Sequence, residues 1–446
     1  MRSKQPKVLH PVCGRPILAH AVATSRELGA TRIVCVVGNG EAQVREALAG
    51  EPVEFVVQSE RLGTAHAVLQ AREFLADHQG AVLVMYGDHP LFRAASFSEL
   101  IDAYREQSAD LAMLVAEYPD RSDFGRIVRG PDGKLERIVE HHDASPEIRA
   151  LREVNLGVYL IQSELLLRLL ARIGNDNDKG EYYLTELVPL VLEDAGNVIT
   201  STIADWDESL GVNSRVDLAR AESVMRQRIA ERWMLHGVTI EDPGHTYIDA
   251  DVEIGSDTVL APGVCLRGTT RLGSGCRIDA GAVVENSTLG DGVWLKPHCH
   301  VEESELGNGC IAGPSAHFRP NSKLAEDVRV GNFVEVKNSN LGRGTKADHL
   351  SYIGDADVGE RVTFACGAIT VNYDGREKHR TTVGDGAFVG CNANLIAPIT
   401  IEARAYVAAG STITQEVPSK ALAVGRARQR NIDGWWDRKF GDDEQE

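Results

Sequence analysis

From about residue 250 onward the apolar residues of this chain recur every six positions. Ile254, Leu260, Leu266, Leu272, Ile278 and Val284 are six apart. After a five-residue step the phase resumes at Leu289, Leu295 and Val301, and it later runs Val383, Val389, Leu395, Ile401, Val407, Ile413. Glycine often follows the apolar residue, as in IGSDTV, LGSGCR, LGDGVW and VGDGAF. A period of six belongs neither to an α-helix nor to an ordinary strand. It marks a parallel β-helix in which three repeats make one triangular coil, and about 160 residues of it predict about nine coils. Such a solenoid serves equally well as a spacer or an oligomerisation rod, so the repeat alone carries no chemistry. Its interruption says more: between Thr370 and Val383 the phase breaks for VNYDGREKHRTT, a polar loop with Asn372, Tyr373, Asp374 and Lys378. A loop of this kind is placed to cover a cleft.

The first 200 or so residues follow another rule. TRIVCVVGNG, PVEFVVQ, GAVLVMYGD and ADLAMLVAEY read as strands, and HAVATSRELGA, EAQVREALAG, AHAVLQAREFLADH and FSELIDAYREQ as the helices between them. This alternation predicts an α/β sheet, mostly parallel, with ligands beyond the carboxyl ends of its strands. Tyr86, Gly87 and Asp88 fall there. In SRVDLARAESVMRQRIAERWMLHG, Leu218, Ala221, Met225, Ile229 and Trp233 are spaced by three and four, which predicts one long connecting helix. The chain thus divides into a domain over 1–214, a linking helix over 215–240 and a repeat domain over 241–446.

A formal charge of −18 argues against nucleic acid or an anionic membrane as partner. No window reaches the roughly 20 apolar residues of a membrane helix, and the N-terminus lacks the apolar stretch of a signal peptide. The expectation is a cytoplasmic protein. Its eight cysteines contain no Cys-x-x-Cys and read as reduced, small apolar groups.

Asp88 ends an apolar run, where a carboxylate either caps a helix or binds a metal. In QSERLGTAHA, Gln58, Gly63 and Thr64 form a polar turn whose backbone N–H groups are open to a base or ribose. With the cationic Lys7, these residues suggest nucleotide phosphate chemistry. In the second half, HFRP, EVKN and ADHLSY put Arg319, Lys337, His349 and Tyr352 on successive coils, where stacking brings them near one another. Singly each is a surface residue; beside the long loop the four together predict a site.

PKVLH, QSERLGTAHA, MYGDHPL, GRIVR, VEHHDAS, EVNLGVYL, GEYYLTEL and GVNSR, followed by RPNSKL, VGNFVEVKNS, KADHLSYIGDADVG and TVNYDG, closely resemble the bacterial bifunctional N-acetylglucosamine-1-phosphate uridyltransferase/glucosamine-1-phosphate acetyltransferase family. The resemblance runs through essentially the whole chain. It implies a Rossmann-like nucleotidyltransferase domain followed by a left-handed β-helix of hexapeptide repeats, and two reactions. One moves acetyl from acetyl-CoA to glucosamine 1-phosphate; the other joins the product to UTP, with UDP-N-acetylglucosamine as the outcome. It also implies roles. Lys7 would meet a phosphate, Gln58, Gly63 and Thr64 the uridine, with Tyr86 and Gly87 in the same pocket; Gly125, Glu140 and Asn155 would meet the sugar, and Asp88 and Asn213 would hold Mg²⁺. His349 would be the general base of acetyl transfer. Arg319 and Lys337 would clamp the sugar phosphate, with Tyr352, Asn372 and Lys378 around the sugar, and Tyr373, Ala409 and Arg426 would face acetyl-CoA. The acetyl site would lie between subunits of a homotrimer.

Three departures from the family pattern bear on these expectations. The family begins with a strand and a loop L-A-A-G-x-G-T-R-M, and this chain starts at the final Met of that pattern. Without the loop's backbone donors uridylyl transfer is expected to be about 10² to 10³ slower. Thr363 stands for an Asn that touches the sugar, and Cys366 and Cys391 for an Ala and a Ser on the acetyl-CoA side, which bears on affinity more than on reaction type. Two other readings fit the same residues: an acetyltransferase with a scaffold N-terminal domain, and a non-catalytic trimeric assembly subunit.

Overall fold

In the computed structural model the described residues are 1–38, 40–118, 124–177 and 179–441. They form two compact units, Met1–Arg228 and Ile229–Glu446, and the boundary along the chain falls within the helix Arg215–Leu235. None of the described helices is long and apolar enough to cross a membrane.

The first unit is α/β, as its alternating pattern predicts, but its strand directions are mixed rather than mostly parallel. The reason is one ten-residue strand, Glu153–Gln162, that runs antiparallel to Ala81–Val84 and to Leu111–Glu117. Its two ends pair with different neighbours on the same flank, Ala81–Val84 at its C-terminal end and Arg126 at its N-terminal end. Alternating apolar runs cannot reveal direction, because a strand buried on both faces reads alike either way. Eight of its ten residues, from Val154 to Ile161, are buried. Among the described residues of this unit, only Val34–Val37 with Glu54–Val57 and Val198–Thr202 with Leu111–Glu117 pair in parallel. The stretch AHAVLQAREFLADH also departs from its reading as one helix. It forms two, Thr64–Leu69 and Arg72–Ala76, joined through Gln70 and Ala71.

The pair Val34–Val37/Glu54–Val57 stands apart from the six-stranded sheet. A cavity of about 1470 Å³ opens in this unit and is lined by both Val34–Val37 and Ala81–Val84, by Leu18 and Val22, and by Lys7, Gln58, Tyr86 and Asp88.

The second unit is a stack of three parallel sheets with eleven, ten and nine strands, each coil giving one strand to each sheet. Nine coils are therefore complete, the number that the repeat predicts, in a form that fits a left-handed β-helix. The phase residues are the core: Leu260, Leu266, Ile278, Val284, Leu295 and Val301 are fully buried, as are Val389, Leu395, Ile401 and Val407. The glycine that follows them has a steric cause, since a Cβ on Gly255 would lie 2.5 Å from the backbone of Gly273 in the next coil. At one corner buried hydroxyls find acceptors in backbone carbonyls, two of which, those of Arg267 and Glu285, also accept a backbone N–H from the next coil. Thr270, Ser287 and Ser304 donate to Arg267, Glu285 and Glu302 oxygens, each at 2.7 Å.

Candidate active sites

In the first unit Lys7, Asp88 and Asn213 come together although 81 and 206 positions separate Lys7 from the other two. The Lys7 ammonium donates to Asp88 Oδ2 at 2.5 Å and to Asn213 Oδ1 at 2.8 Å. Asp88 sits beyond the strand Ala81–Val84, and its other oxygen meets His89 Nδ1 at 2.8 Å. Burial alone would raise the Asp88 pKa, but the His89 hydrogen bond and the Lys7 charge outweigh it and hold the carboxyl well below the usual range. A stable anion and an amide oxygen thus converge on one cation.

The turn predicted to be open to a base is built by a second segment. Thr64 Oγ1 accepts from the Leu184 N–H at 2.9 Å, and the Ala65 N–H donates to the Tyr182 oxygen at 2.9 Å. Gly63 has φ +108°, and a Cβ there would lie 2.5 Å from that same Tyr182 oxygen, so no other residue fits. Gln58 Nε2 lies 3.1 Å from the Gly63 oxygen and 3.0 Å from His66 Nδ1.

The three sugar candidates also cluster. The Asn155 N–H donates to the Gly125 oxygen at 2.9 Å, and a Cβ on Gly125 would be 3.6 Å from Glu140 Oε2. Glu140 accepts from Thr185 Oγ1 at 3.3 Å, and burial pushes its pKa up. Asn155 is itself buried, bonded to Tyr159 Oη and to the Gly157 N–H. The Tyr86 ring lies on Gly157, where a Cβ would come within 2.0 Å of it. Gly87 leaves room beside Leu18 in the same cavity wall. His89, Gly157 and Thr185 are site neighbours that the sequence reading left unassigned, although MYGDHPL, EVNLGVYL and GEYYLTEL contain them.

In the second unit Lys337, Asn372 and Lys378 gather around one carboxylate, Asp355, with Tyr352 bonded to Asn372 and Arg319 near Lys378. Asp355 is buried, pairs with Lys337 Nζ at 3.5 Å and accepts from Asn338 and Asn372. Asn372 Nδ2 also donates to Tyr352 Oη at 3.3 Å. Lys378, from the loop that breaks the repeat, faces Lys337, which lowers the Lys378 pKa through their close approach and like charge. Arg319 is held by Glu335 at 2.9 Å. Asp355 escaped the sequence reading because a carboxylate in a polar loop stretch looks solvated.

Burial would raise the Asp355 pKa, but Asn338, Asn372 and Lys337 together bring it below the ordinary value. A folded value below the unfolded one, about 3.9, means that the carboxylate's stabilisation is complete above roughly pH 5 and fades as pH falls through the folded value. The stability gap between wild type and Asp355→Asn should therefore hold above about pH 5 and narrow as pH falls from there through the folded value. Urea titrations of the full chain across that range read it directly.

His349 occupies the next corner of the Tyr352 coil, and its Nδ1 meets Asn332 Oδ1 at 2.9 Å. An amide oxygen only accepts, so Nδ1 carries the proton and Nε2 is the basic nitrogen. Below it the strand register stacks Cys366, then Cys391, then Ala409. Arg426 Nη1 donates to the Ala409 oxygen at 3.0 Å. Thr363 lies on this sheet, three residues before Cys366, and Tyr373 is exposed in the loop.

Residues 2–210 match the nucleotidyl transferase family model, and residues 243–346 match the model of the GMPPB C-terminal domain. The chain is 48% identical to the bifunctional protein GlmU of Geobacillus sp. (strain WCH70), over 98% of its own length and 95% of that protein's. The chain belongs to the GlmU family. The GlmU of Geobacillus thermodenitrificans (strain NG80-2) is 47% identical over 99% of the chain and 96% of its own length, and that of Brevibacillus brevis 49% over 97% and 93%. Membership of the GlmU family thus spans both units and both clusters.

Proposed function

We propose that the chain makes UDP-N-acetylglucosamine, by acetyl transfer from acetyl-CoA to glucosamine 1-phosphate in the β-helix unit and uridylyl transfer from UTP in the α/β unit. One observation carries the reading: relatedness to GlmU proteins over nearly the whole chain. The two residue clusters support it with matching chemistry.

The substrate amine must lose a proton before it can attack a thioester. His349 Nε2 takes it, with Asn332 holding the tautomer. The amine nitrogen then bonds to the acetyl carbon, the carbon–sulfur bond breaks, and coenzyme A leaves as the thiolate. Arg319, Lys337 and Lys378 offer three cations for the sugar phosphate, while Tyr352, Asn372 and Thr363 meet the sugar. Cys366, Tyr373, Cys391, Ala409 and Arg426 take acetyl-CoA.

In uridylyl transfer the sugar phosphate attacks the α-phosphate of UTP and pyrophosphate leaves. Gln58, Gly63 and Thr64 position the uridine beside Tyr86 and Gly87, and Gly125, Glu140 and Asn155 the sugar. The Lys7 ammonium stands where the Asp88 and Asn213 oxygens converge, so a cation fits there, and hard oxygen donors suit Mg²⁺. Mg²⁺ would neutralise charge on the phosphates during the displacement.

Incubation with glucosamine 1-phosphate, acetyl-CoA, UTP and Mg²⁺ should release both coenzyme A thiol and pyrophosphate. EDTA should abolish pyrophosphate release and spare thiol release. A chain that releases neither refutes the reading.

The functional unit is a homotrimer. Phe333 and Leu350 stack on successive coils, 61% and 57% exposed, at φ 55° and 44°, a backbone region that bulky side chains rarely enter. They directly follow Asn332 and His349, so a second copy covering them would close over the base. Sedimentation equilibrium should return three times the chain mass; a monomer fully active in acetyl transfer would exclude the trimer.

A further inference from the structure

We infer that Cys366 and Cys391 are a reversible redox pair, able to form a disulfide across two consecutive coils and so to switch off the acyl-donor face. The pairing of Thr363 with Phe388 and Phe364 with Val389, continued two residues on, sets Cys366 opposite Cys391. The Asn392 N–H donates to the Cys366 oxygen at 2.8 Å, so the register persists through the turn. Both cysteines precede a left-handed residue, Gly367 at φ 75° and Asn392 at φ 53°. With the same turn geometry, the two Cβ atoms leave the backbone in the same direction. Neighbouring strands lie about 4.8 Å apart, within the roughly 4.4 to 6.8 Å between Cα atoms that a disulfide requires.

Access separates this pair from five of the other thiols, and register from the sixth, since Cys265 is half-buried like Cys366 but stacks on Val283. Cys391 is exposed and Cys366 half-buried, whereas Cys13, Cys35, Cys276, Cys299 and Cys310 are buried. Burial pushes the thiols of Cys35, Cys299 and Cys310 up to about 11, which suppresses their reactive thiolate. On the β-helix no other cysteine faces a cysteine on the next coil: Cys276 stacks on Val293, Cys299 on Ala316 and Cys265 on Val283.

The oxidant is a peroxide. One thiolate attacks the peroxide oxygen to give a sulfenic acid; the second thiol displaces the hydroxyl as water and forms the S–S bond. Overall two thiols and hydrogen peroxide give one disulfide and two waters, and a dithiol reductant reverses the change. The disulfide replaces two separate thiols with a rigid bridge directly below His349, in the column that ends at Ala409 and Arg426. The regulatory consequence rests on the acetyl-transfer reading above, whereas the pairing itself does not.

The test treats the full-length reduced protein with hydrogen peroxide and follows it by peptide mass mapping and by acetyl transfer. A Cys366–Cys391 cross-linked peptide should appear within one chain. Acetyl transfer should fall at least tenfold, roughly the loss of one well-placed contact, and dithiothreitol should restore it. Cys391→Ser should show the same rate before and after peroxide, whatever that rate is. Cross-links elsewhere or between chains, or over-oxidised thiols with no cross-link, overturn the pair. A cross-link with unchanged acetyl transfer overturns the switch. A fully reduced protein with no acetyl transfer overturns the acetyl-transfer reading and with it the switch, while the peptide map still decides the pair.

Discussion

His349→Ala lowers the turnover of acetyl transfer by about 10²-fold or more, the usual range for loss of a general base. The effect is expected because Nδ1 is committed to Asn332, which leaves Nε2 as the basic nitrogen of the ring. Of the neighbouring cations, Arg319 is held protonated by its hydrogen bond to Glu335 and Lys337 by its contacts with Lys378 and Asp355, so neither can take a proton from an ammonium near neutral pH. The loss should appear in kcat, with little change in the KM for either substrate, since the proton moves in the transition state. Release of coenzyme A thiol measures it. Uridylyl transfer, followed as pyrophosphate release from N-acetylglucosamine 1-phosphate and UTP, reports in the same preparation that the chain is folded. A variant with near-normal acetyl turnover would remove His349 from the role.

Asp88→Ala should depress uridylyl transfer by about 10² to 10³, the scale of a lost electrostatic contact to developing charge. Asp88 is held as an anion by His89 and Lys7, so the wild-type side chain is ionised throughout the working pH range. Its removal takes away the only charged oxygen of the cation site and leaves the Lys7 ammonium with Asn213 alone. Higher Mg²⁺ should recover part of the rate, because the weakened site retains one oxygen ligand. Pyrophosphate release at several Mg²⁺ concentrations decides this. An unchanged rate at low Mg²⁺ would show that the ion, if used, binds elsewhere.

The two halves of the chain differ in how much could be read from their residues. The β-helix was legible in detail because each repeat packs only on its neighbours, so local phase is also tertiary position. Leu260 and Val407 are core for the same reason, and nine coils follow from counting. The same logic placed Arg319, Lys337 and Tyr352 together. In the α/β unit, the strands and helices were legible but their directions were not. Apolar runs such as ADLAMLVAEY say that a strand is buried and nothing about which neighbour it pairs with. The site motifs there were visible through the family resemblance, whereas their supports were not: Thr185 and Tyr182 reach the site from a segment more than 100 positions after Thr64.

The sequence by itself determined the six-residue phase, the α/β alternation, the linking helix and the residue types of both sites, because each depends on spacing along the chain. Only the tertiary structure decided that Glu153–Gln162 runs antiparallel through the first sheet, that Lys7 meets Asp88 and Asn213 at one point, and that Asp355 organises the second cluster. It also decided the register that, continued two residues, sets Cys366 opposite Cys391, since the twelve-residue stretch VNYDGREKHRTT separates their repeats and hides the register from any fixed period. The physical reason is common to all four: pairing across the chain is set by the energy of whole layers packing together, which no local pattern of residues contains.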